Sequence, residues 1–192
     1  MTGSASTERQ VGSVLRCRVG WMPAVRSKRG VVSLELPTAD RRAAAASLRR
    51  VRVVGPDEDD LLAQLAAELA GYFNGERVDF SVPVDLRGVS RFRRRVLLTA
   101  ARIPYGEVVT YGDVARAVGH PRGARAVGQA MGANPVPIVV PCHRVIASTG
   151  GLGGFGAGLA WKAALLTLER EGRLISSPPD ERSARTGHRT WD

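Results

Sequence analysis

The sequence predicts two domains, a small α/β domain followed by a mainly α domain that contains a helix-turn-helix. Short alternating apolar runs near the N-terminus indicate a small antiparallel sheet with helices. Three short helical segments with tight turns open the second half. Asn-Gly and Val-Pro-Val interruptions indicate an extended connection between the halves. We therefore expect domains at residues 1–82 and 90–174, a linker at 83–89 and a disordered tail at 175–192.

The first half combines predicted strands with two predicted helices. Residues 11–36 hold apolar stretches broken by glycine, proline and charge, which predict two or three strands. Residues 39–50 are rich in alanine and arginine and predict a surface helix, with Asp40 near its start. Residues 51–56 predict another short strand. Residues 56–73 join an acidic first turn to leucines at helical spacing, so they predict a helix.

The second half begins with three predicted helices. Ser90 can cap the first, which continues through Ile103 and stops at Pro104. Thr110 can cap the second. The third, residues 124–134, is small on nearly every face, which would let its backbone approach DNA closely.

The remaining segments differ sharply in composition. Residues 135–141 are apolar and carry three prolines, which forbids a regular helix and suggests a buried, strand-like run. Residues 148–158 are rich in glycine and predict a loop. Residues 159–172 return to helical spacing and close at a glycine.

The net charge of the chain indicates an anionic partner. The formal net charge is +10, and all but two of the 28 basic residues are arginine. Nucleic acid is the foremost partner of such a surface, although codon usage alone can also produce an arginine bias. No run of about 18 apolar residues suggests a membrane span, and the polar N-terminus does not resemble a signal peptide. We expect a cytoplasmic protein.

Two distant cysteines, Cys17 and Cys142, suggest neither a disulfide framework nor a metal site. Cys142 stands beside His143 and Arg144, so a nucleophile lies next to a possible base. A thiol with a pKa of about 8.5 needs such a neighbour, because only the thiolate attacks. A buried structural thiol is the alternative from these residues. A cysteine hydrolase fits poorly, because no protease signature surrounds the cysteine.

The run NPVPIVVPCHRVI, followed by GLAWKAALLTLE, resembles the O6-alkylguanine-DNA alkyltransferase family. Residues 90–135 are similar to the family's helix-turn-helix block, whereas the first half resembles its smaller domain only loosely. The resemblance implies a ribonuclease H-like N-terminal domain and a winged helix-turn-helix C-terminal domain. It also implies direct DNA repair, in which an alkyl group moves from O6-alkylguanine in double-stranded DNA to Cys142 and inactivates the protein. It implies a monomer without cofactor or metal, and leaves open O4-alkylthymine and cooperative DNA binding.

The resemblance assigns DNA-binding roles to the third helix. Arg125 matches the arginine that fills the gap left by a flipped-out nucleotide. Its small neighbours Ala124, Ala126 and Gly128 would let the helix sit in the minor groove. Tyr111 matches the tyrosine that helps to expel the nucleotide and can donate a proton to guanine. The simpler alternatives are a solvated arginine and a core tyrosine.

The resemblance also implies catalytic roles for residues that would act on Cys142. Glu169 would orient His143, which would take the proton of Cys142 through a water molecule. Asn134 matches the asparagine that braces the active-site loop, and Lys162 matches a cation that would favour the thiolate. Considered alone, Glu169 and Lys162 would be assigned to the surface of a helix.

The substrate pocket is expected to involve four residues, Pro137, Val145, Phe155 and Gly156, with backbone carbonyls near Cys142 and Val145 receiving the exocyclic amine of guanine. Phe155 stands where many members have tyrosine, so a hydroxyl contact to substrate would be absent.

Two other functions belong to different classes. A non-catalytic sensor of alkylated DNA would share the DNA-binding fold but lack the acceptor cysteine, so Cys142 favours the enzyme. A transcription factor would leave the Cys-His-Arg segment and the glycine loop unexplained.

Overall fold

The structure, a computed structural model, describes residues 10–156 and 158–172. Ala157, the first nine residues and the predicted tail lie outside the described residues. None of the helices in the described part of the chain combines the length and the apolar character that a membrane span requires.

A sheet with strand order β3-β2-β1-β4 forms the base of the N-terminal half. Strands β1 (Val11–Cys17), β2 (Gly20–Ser27) and β3 (Gly30–Leu34) form an antiparallel meander, as predicted. Strand β4 (Arg52–Val53) pairs parallel to β1, so the sheet is mixed and not purely antiparallel. The crossover through the first helix makes this parallel pairing possible.

Two helices accompany the sheet. Helix α1 (Arg41–Ala46) is shorter than the predicted 39–50, and the side chain of Asp40 caps it by accepting from the backbone N–H of Arg42 at 2.8 Å. Helix α2 (Asp60–Phe73) follows a short 3-10 turn and packs a leucine-rich face on the sheet. Tyr72 and Phe73 are fully buried at its C-terminal end, where they reach the second half of the molecule.

The connection between the halves is bound to the sheet. The N–H of Val31 donates to the carbonyl of Pro83 at 2.8 Å, and the N–H of Asp85 donates to the carbonyl of Val31 at 2.8 Å. At the end of β3, the N–H of Leu34 donates to the carbonyl of Pro135 at 2.9 Å. The domain bounds proposed above stay a prediction, but one hydrophobic core spans both halves.

Three short helices form the helix-turn-helix region. Helix α3 (Arg91–Ala100), capped by Ser90, ends earlier than predicted, and Ile103 lies buried in the following turn. Helix α4 (Tyr111–Ala117) is capped by Thr110, and α5 (Ala124–Gly132) packs against both other helices. Strand β5 (Val109–Thr110) pairs parallel with β6 (Val145–Ile146).

The segment around Cys142 departs from the strand-like prediction. Residues 135–141 form no strand beyond an isolated bridge between Pro137 and Val140, because proline nitrogens cannot donate to a ladder. Ile138 has φ 75°, a left-handed conformation that is rare for a β-branched residue. Residues 142–144 form one 3-10 turn, and helix α6 (Leu159–Glu171) returns beside it, ending at Gly172 with φ 61°.

Candidate active site

Cys142 opens the 3-10 turn and is only 4% exposed. The side-chain nitrogen of Asn134 donates to its sulfur at 3.1 Å and to the carbonyl of Val140 at 2.8 Å. The amide oxygen of Asn134 accepts from the backbone N–H of Val136 at 3.0 Å, which fixes the orientation of the amide. One side chain therefore ties the end of α5 to the sulfur and to the loop that carries it.

Burial raises the pKa of the Cys142 thiol, and the Asn134 hydrogen bond and the charge of Lys162 lower it only in part. The resting sulfur is therefore a thiol at neutral pH. Because only the thiolate is strongly nucleophilic, an attack from this position needs a neighbouring base.

His143 and Glu169 form a buried pair next to this thiol. The imidazole Nε2 lies 2.7 Å from Glu169 Oε1, and both side chains are almost fully buried. Burial lowers the pKa of His143, so its imidazole is neutral. An ionised carboxylate only accepts hydrogen bonds, so Nε2 carries the proton and Nδ1 has the free electron pair. Nδ1 is buried and has no hydrogen-bond partner among the described residues. Its electron pair is therefore available to accept a proton, as a general base requires.

Besides His143, three residues donate four further hydrogen bonds that hold Glu169 as a carboxylate. Arg144 donates from Nε to Oε2 and from Nη2 to Oε1, both at 2.9 Å. The backbone N–H of Gly106 donates to Oε2 at 3.0 Å, and the hydroxyl of Tyr72 donates to Oε1 at 2.8 Å. Burial would raise the pKa of Glu169, but hydrogen bonds from His143 and Arg144 and the positive charge of Arg144 outweigh it and lower the pKa from 4.5 to about 2. Tyr72, Arg144 and Gly106 were absent from the predicted site, and no local sequence signal distinguishes Tyr72.

Lys162 lies inside the protein, fully buried, and not on a solvated helix face. Its ammonium donates to the carbonyl of Val145 at 2.6 Å, to the carbonyl of Leu152 and to the hydroxyl of Tyr111 at 3.3 Å. Burial lowers the pKa of Lys162 from 10.5 to about 8. Tyr111 in turn donates to the carbonyl of Gly154 at 3.0 Å, so lysine and tyrosine together hold the glycine loop against β6.

A cavity of about 330 Å³ opens in front of Cys142. Pro137, Phe155 and Gly156 line it, whereas Val145 does not. The side chain of Val145 is fully buried, and its carbonyl already accepts from Lys162. Asn134, which was predicted to brace the loop, also lines the cavity. The other wall residues, which the sequence did not indicate, come from the C-terminal end of α5 and from the end of β3 and the residues after it: Leu34, Glu35, Leu36, Met131 and Gly132.

Helix α5 presents the predicted DNA-binding residues on an open surface. Arg125 and Ala126 are exposed, and Ala124 and Gly128 are partly exposed. No ion pair or hydrogen bond holds the Arg125 side chain among the described residues. A Cβ at Gly128 would lie 3.8 Å from the ring of Tyr111, an ordinary contact distance, so packing within the protein does not demand glycine there.

Comparison with known proteins identifies the family. Residues 14–86 match the model described as 6-O-methylguanine DNA methyltransferase, ribonuclease-like domain. Residues 91–171 match the DNA binding domain of the same family. The chain belongs to the 6-O-methylguanine DNA methyltransferase family. The resemblance and the fold class predicted from the sequence are thereby confirmed.

Relatives of this family differ in how much of the chain they match. The methylated-DNA–protein-cysteine methyltransferase of Mycolicibacterium paratuberculosis is 53% identical over 103 residues, 54% of this chain and 62% of that protein. The aligned part thus spans less than two thirds of that relative's length. The Mycobacterium leprae protein of the same name is 45% identical over 119 residues, 62% of this chain and 72% of that protein.

Solved structures of the family match a larger part of the chain. The crystal structure of Mycobacterium tuberculosis OGT in complex with DNA has a TM-score of 0.73 at 32% identity, covering 86% of this chain and 96% of that one. The O6-methylguanine-DNA methyltransferase of Pyrococcus kodakaraensis has a TM-score of 0.58 at 28% identity, covering 83% of this chain and 98% of that one.

Proposed function

We propose that this protein repairs alkylated double-stranded DNA by moving a methyl or other alkyl group from O6 of guanine to Cys142. The observation that carries the proposal is a buried thiol that faces an open cavity beside a neutral histidine oriented by a buried carboxylate. The curated relatives' names describe transfer of a methyl group from methylated DNA to a protein cysteine, and one relative has been crystallised with DNA, which supports the proposal.

The reaction starts with the thiol. His143 Nδ1 takes the proton of Cys142, directly or through one water molecule, while Glu169 stabilises the imidazolium that forms. The sulfur attacks the alkyl carbon in line with the bond to O6, a carbon–sulfur bond forms, and the carbon–oxygen bond breaks with its electron pair on oxygen. The thioether has no good leaving group, so each molecule reacts once.

The guanine that leaves must gain a proton, and we assign the donation of this proton to Tyr111. Burial raises the pKa of its hydroxyl, which by itself opposes proton donation. The Lys162 ammonium, 3.3 Å away, offsets this effect because it stabilises the phenolate. Asn134 would meanwhile hold the sulfur in line.

DNA would meet the protein on α5. An alkylated guanine inside a duplex is stacked, so it must be rotated out before sulfur can reach it. We assign to Arg125 the role of filling the vacated space, and to the small residues Ala124, Ala126 and Gly128 the close approach to the groove. We further propose that the protein acts as a monomer in the cytoplasm, where its two free cysteines, Cys17 and Cys142, stay reduced.

The test is the mass of the intact protein after incubation with excess duplex DNA that contains O6-methylguanine. We expect one gain of about 14 Da, the mass of a methylene, mapped to Cys142, with no turnover beyond one equivalent. Cys142→Ser should gain nothing and still bind DNA, whereas Cys17→Ser, the matched control, should react normally. An unchanged mass together with damage-dependent binding would identify a sensor and overturn the proposal.

A further inference from the structure

Tyr72 brings a hydroxyl group from the N-terminal half into the centre of the active site. It lies at the end of α2, fully buried, 97 residues before Glu169 in sequence. Its oxygen lies 2.8 Å from Glu169 Oε1 and 3.4 Å from His143 Nε2. No other described side chain of the N-terminal half donates to this histidine–glutamate pair.

We propose that Tyr72 is a positioning residue for the acid–base pair, because it donates to the same carboxylate oxygen that accepts from His143 and so limits how strongly Glu169 attracts the imidazole proton. The inference rests on the proposed function, since it assigns His143 the role of base. It gives the N-terminal half a direct influence on the chemistry at Cys142.

The geometry supports this role. Oε1 of Glu169 accepts from His143, Tyr72 and Arg144 at 2.7, 2.8 and 2.9 Å. Donors that share one oxygen each reduce the negative charge available to the others. Burial and the charge of Glu169 raise the pKa of Tyr72 well above its usual value, so the phenol stays a neutral donor throughout the working range.

Tyr105 offers a matched control from the same cluster. Its ring contacts that of Tyr72 edge to face, with centroids 6.1 Å apart, and the guanidinium of Arg144 lies 5.7 Å from its centre. Its hydroxyl is buried but has no hydrogen-bond partner among the described residues. Tyr72→Phe and Tyr105→Phe each remove one buried hydroxyl oxygen. Only Tyr72→Phe also removes a hydrogen bond to Glu169.

The sign of the effect follows from the groups around the pair. Tyr72 from α2, Arg144 from the 3-10 turn and Lys162 from α6 interact with the pair directly. Cys142 is bonded to His143 in the chain, and Tyr105, in the turn after α3, interacts with Glu169 and is itself influenced by Arg77. Without the Tyr72 hydroxyl, Oε1 keeps more negative charge and favours the imidazolium. The pKa of His143 should therefore rise, and a larger share of the protein should carry a protonated, inactive base at acidic pH.

The experiment compares Tyr72→Phe, Tyr105→Phe and the unmodified protein by NMR titration of the imidazole nitrogens and by the transfer rate from an O6-methylguanine duplex, both from about pH 4 to about pH 9. The sequence has only three histidines, so His143 can be assigned. We expect Tyr72→Phe to raise the His143 pKa by about half to one unit and to slow transfer roughly threefold to tenfold at the acid edge. On the alkaline plateau the transfer rate of Tyr72→Phe should lie within about twofold of the rate of the unmodified protein. Tyr105→Phe should change neither the pKa of His143 nor the transfer rate.

Each outcome decides the inference. An unmoved His143 titration in Tyr72→Phe, or equal shifts in both variants, overturns it, because a purely structural loss would not be specific to the bonded hydroxyl. Absence of transfer by the unmodified protein would overturn the proposed function, while the NMR comparison would still stand. If Tyr72→Phe does not fold, the exchange of the Tyr72 hydroxyl proton with water is measured by NMR in the unmodified protein. Slow exchange with a cross-peak to His143 supports the inference, and fast exchange overturns it.

Discussion

At the scale of single residues, the candidate active site contains a buried negative charge. Glu169 is placed among His143, Arg144 and Tyr72, where water cannot solvate it. A carboxylate in such a place survives because its oxygens are fully occupied by donors.

This charge should contribute to stability in a way that depends on pH. The pKa of Glu169 is lowered from 4.5 to about 2 on folding, so its contribution is present above pH 4.5 and is lost as the pH falls toward 2. The shift corresponds to about 3 kcal/mol. In urea unfolding at stepped pH, this loss should occur in the unmodified protein and be absent from Glu169→Gln. Glu107→Gln, at an exposed carboxylate, is the control, and parallel pH curves for all three proteins would contradict the argument.

At the scale of elements, helix caps were predictable and the active-site loop was not. Ser90 and Thr110 cap α3 and α4 as expected, because capping depends on a side chain and the backbone a few residues away. Asp40, which was expected only near the start of α1, caps that helix. The segment at 135–141 was assigned a strand-like form from its apolar composition. Its shape is instead set by prolines and by Asn134, whose amide bonds an atom eight residues away.

Helix α5 carries a prediction about DNA. If Arg125 replaces the flipped nucleotide, Arg125→Ala should slow transfer from duplex DNA on the order of tenfold to a hundredfold, because unstacking costs a few kcal/mol. Transfer from free O6-benzylguanine base should change by less than about twofold, since the base needs no flipping. Arg50→Ala, an exposed arginine of the N-terminal half, controls for lost charge. Equal slowing on both substrates would argue against the assigned role.

The glycine-rich loop carries a second prediction. A Cβ at Gly156 would lie 2.6 Å from the backbone oxygen of Gly132, whereas a Cβ at Gly154 meets nothing within 4 Å. Gly156→Ala should therefore push the loop away from α5 and disturb the cavity at Cys142, slowing transfer roughly tenfold, as overpacking commonly costs 1–3 kcal/mol. Gly154→Ala should react nearly as the unmodified protein. Transfer rates of both variants, measured with the same O6-methylguanine duplex, test this prediction. Equal rates for Gly156→Ala and Gly154→Ala would contradict the steric argument.

At the scale of the whole molecule, the two halves meet at the active site. The N–H of Leu34 bonds the carbonyl of Pro135 seven residues before Cys142, the segment after β3 lines the cavity, and Tyr72 bonds Glu169. The predicted site residues all lie in the second half, because the family resemblance rests on motifs there. The contributions of the first half depend on contacts about a hundred residues apart, which no periodicity reveals.

This arrangement predicts that the C-terminal half is not self-sufficient. A fragment of residues 83–192 would expose the part of the shared core that α2 and the sheet cover, and it would lack the wall formed after β3. We expect its Tm to fall on the order of 10 °C or more, and its transfer rate to fall more than about tenfold. Circular dichroism and intact mass measure the two effects, and adding residues 1–82 as a separate chain should restore part of both. A fragment that melts and reacts like the full chain would show that the N-terminal half is dispensable for the chemistry.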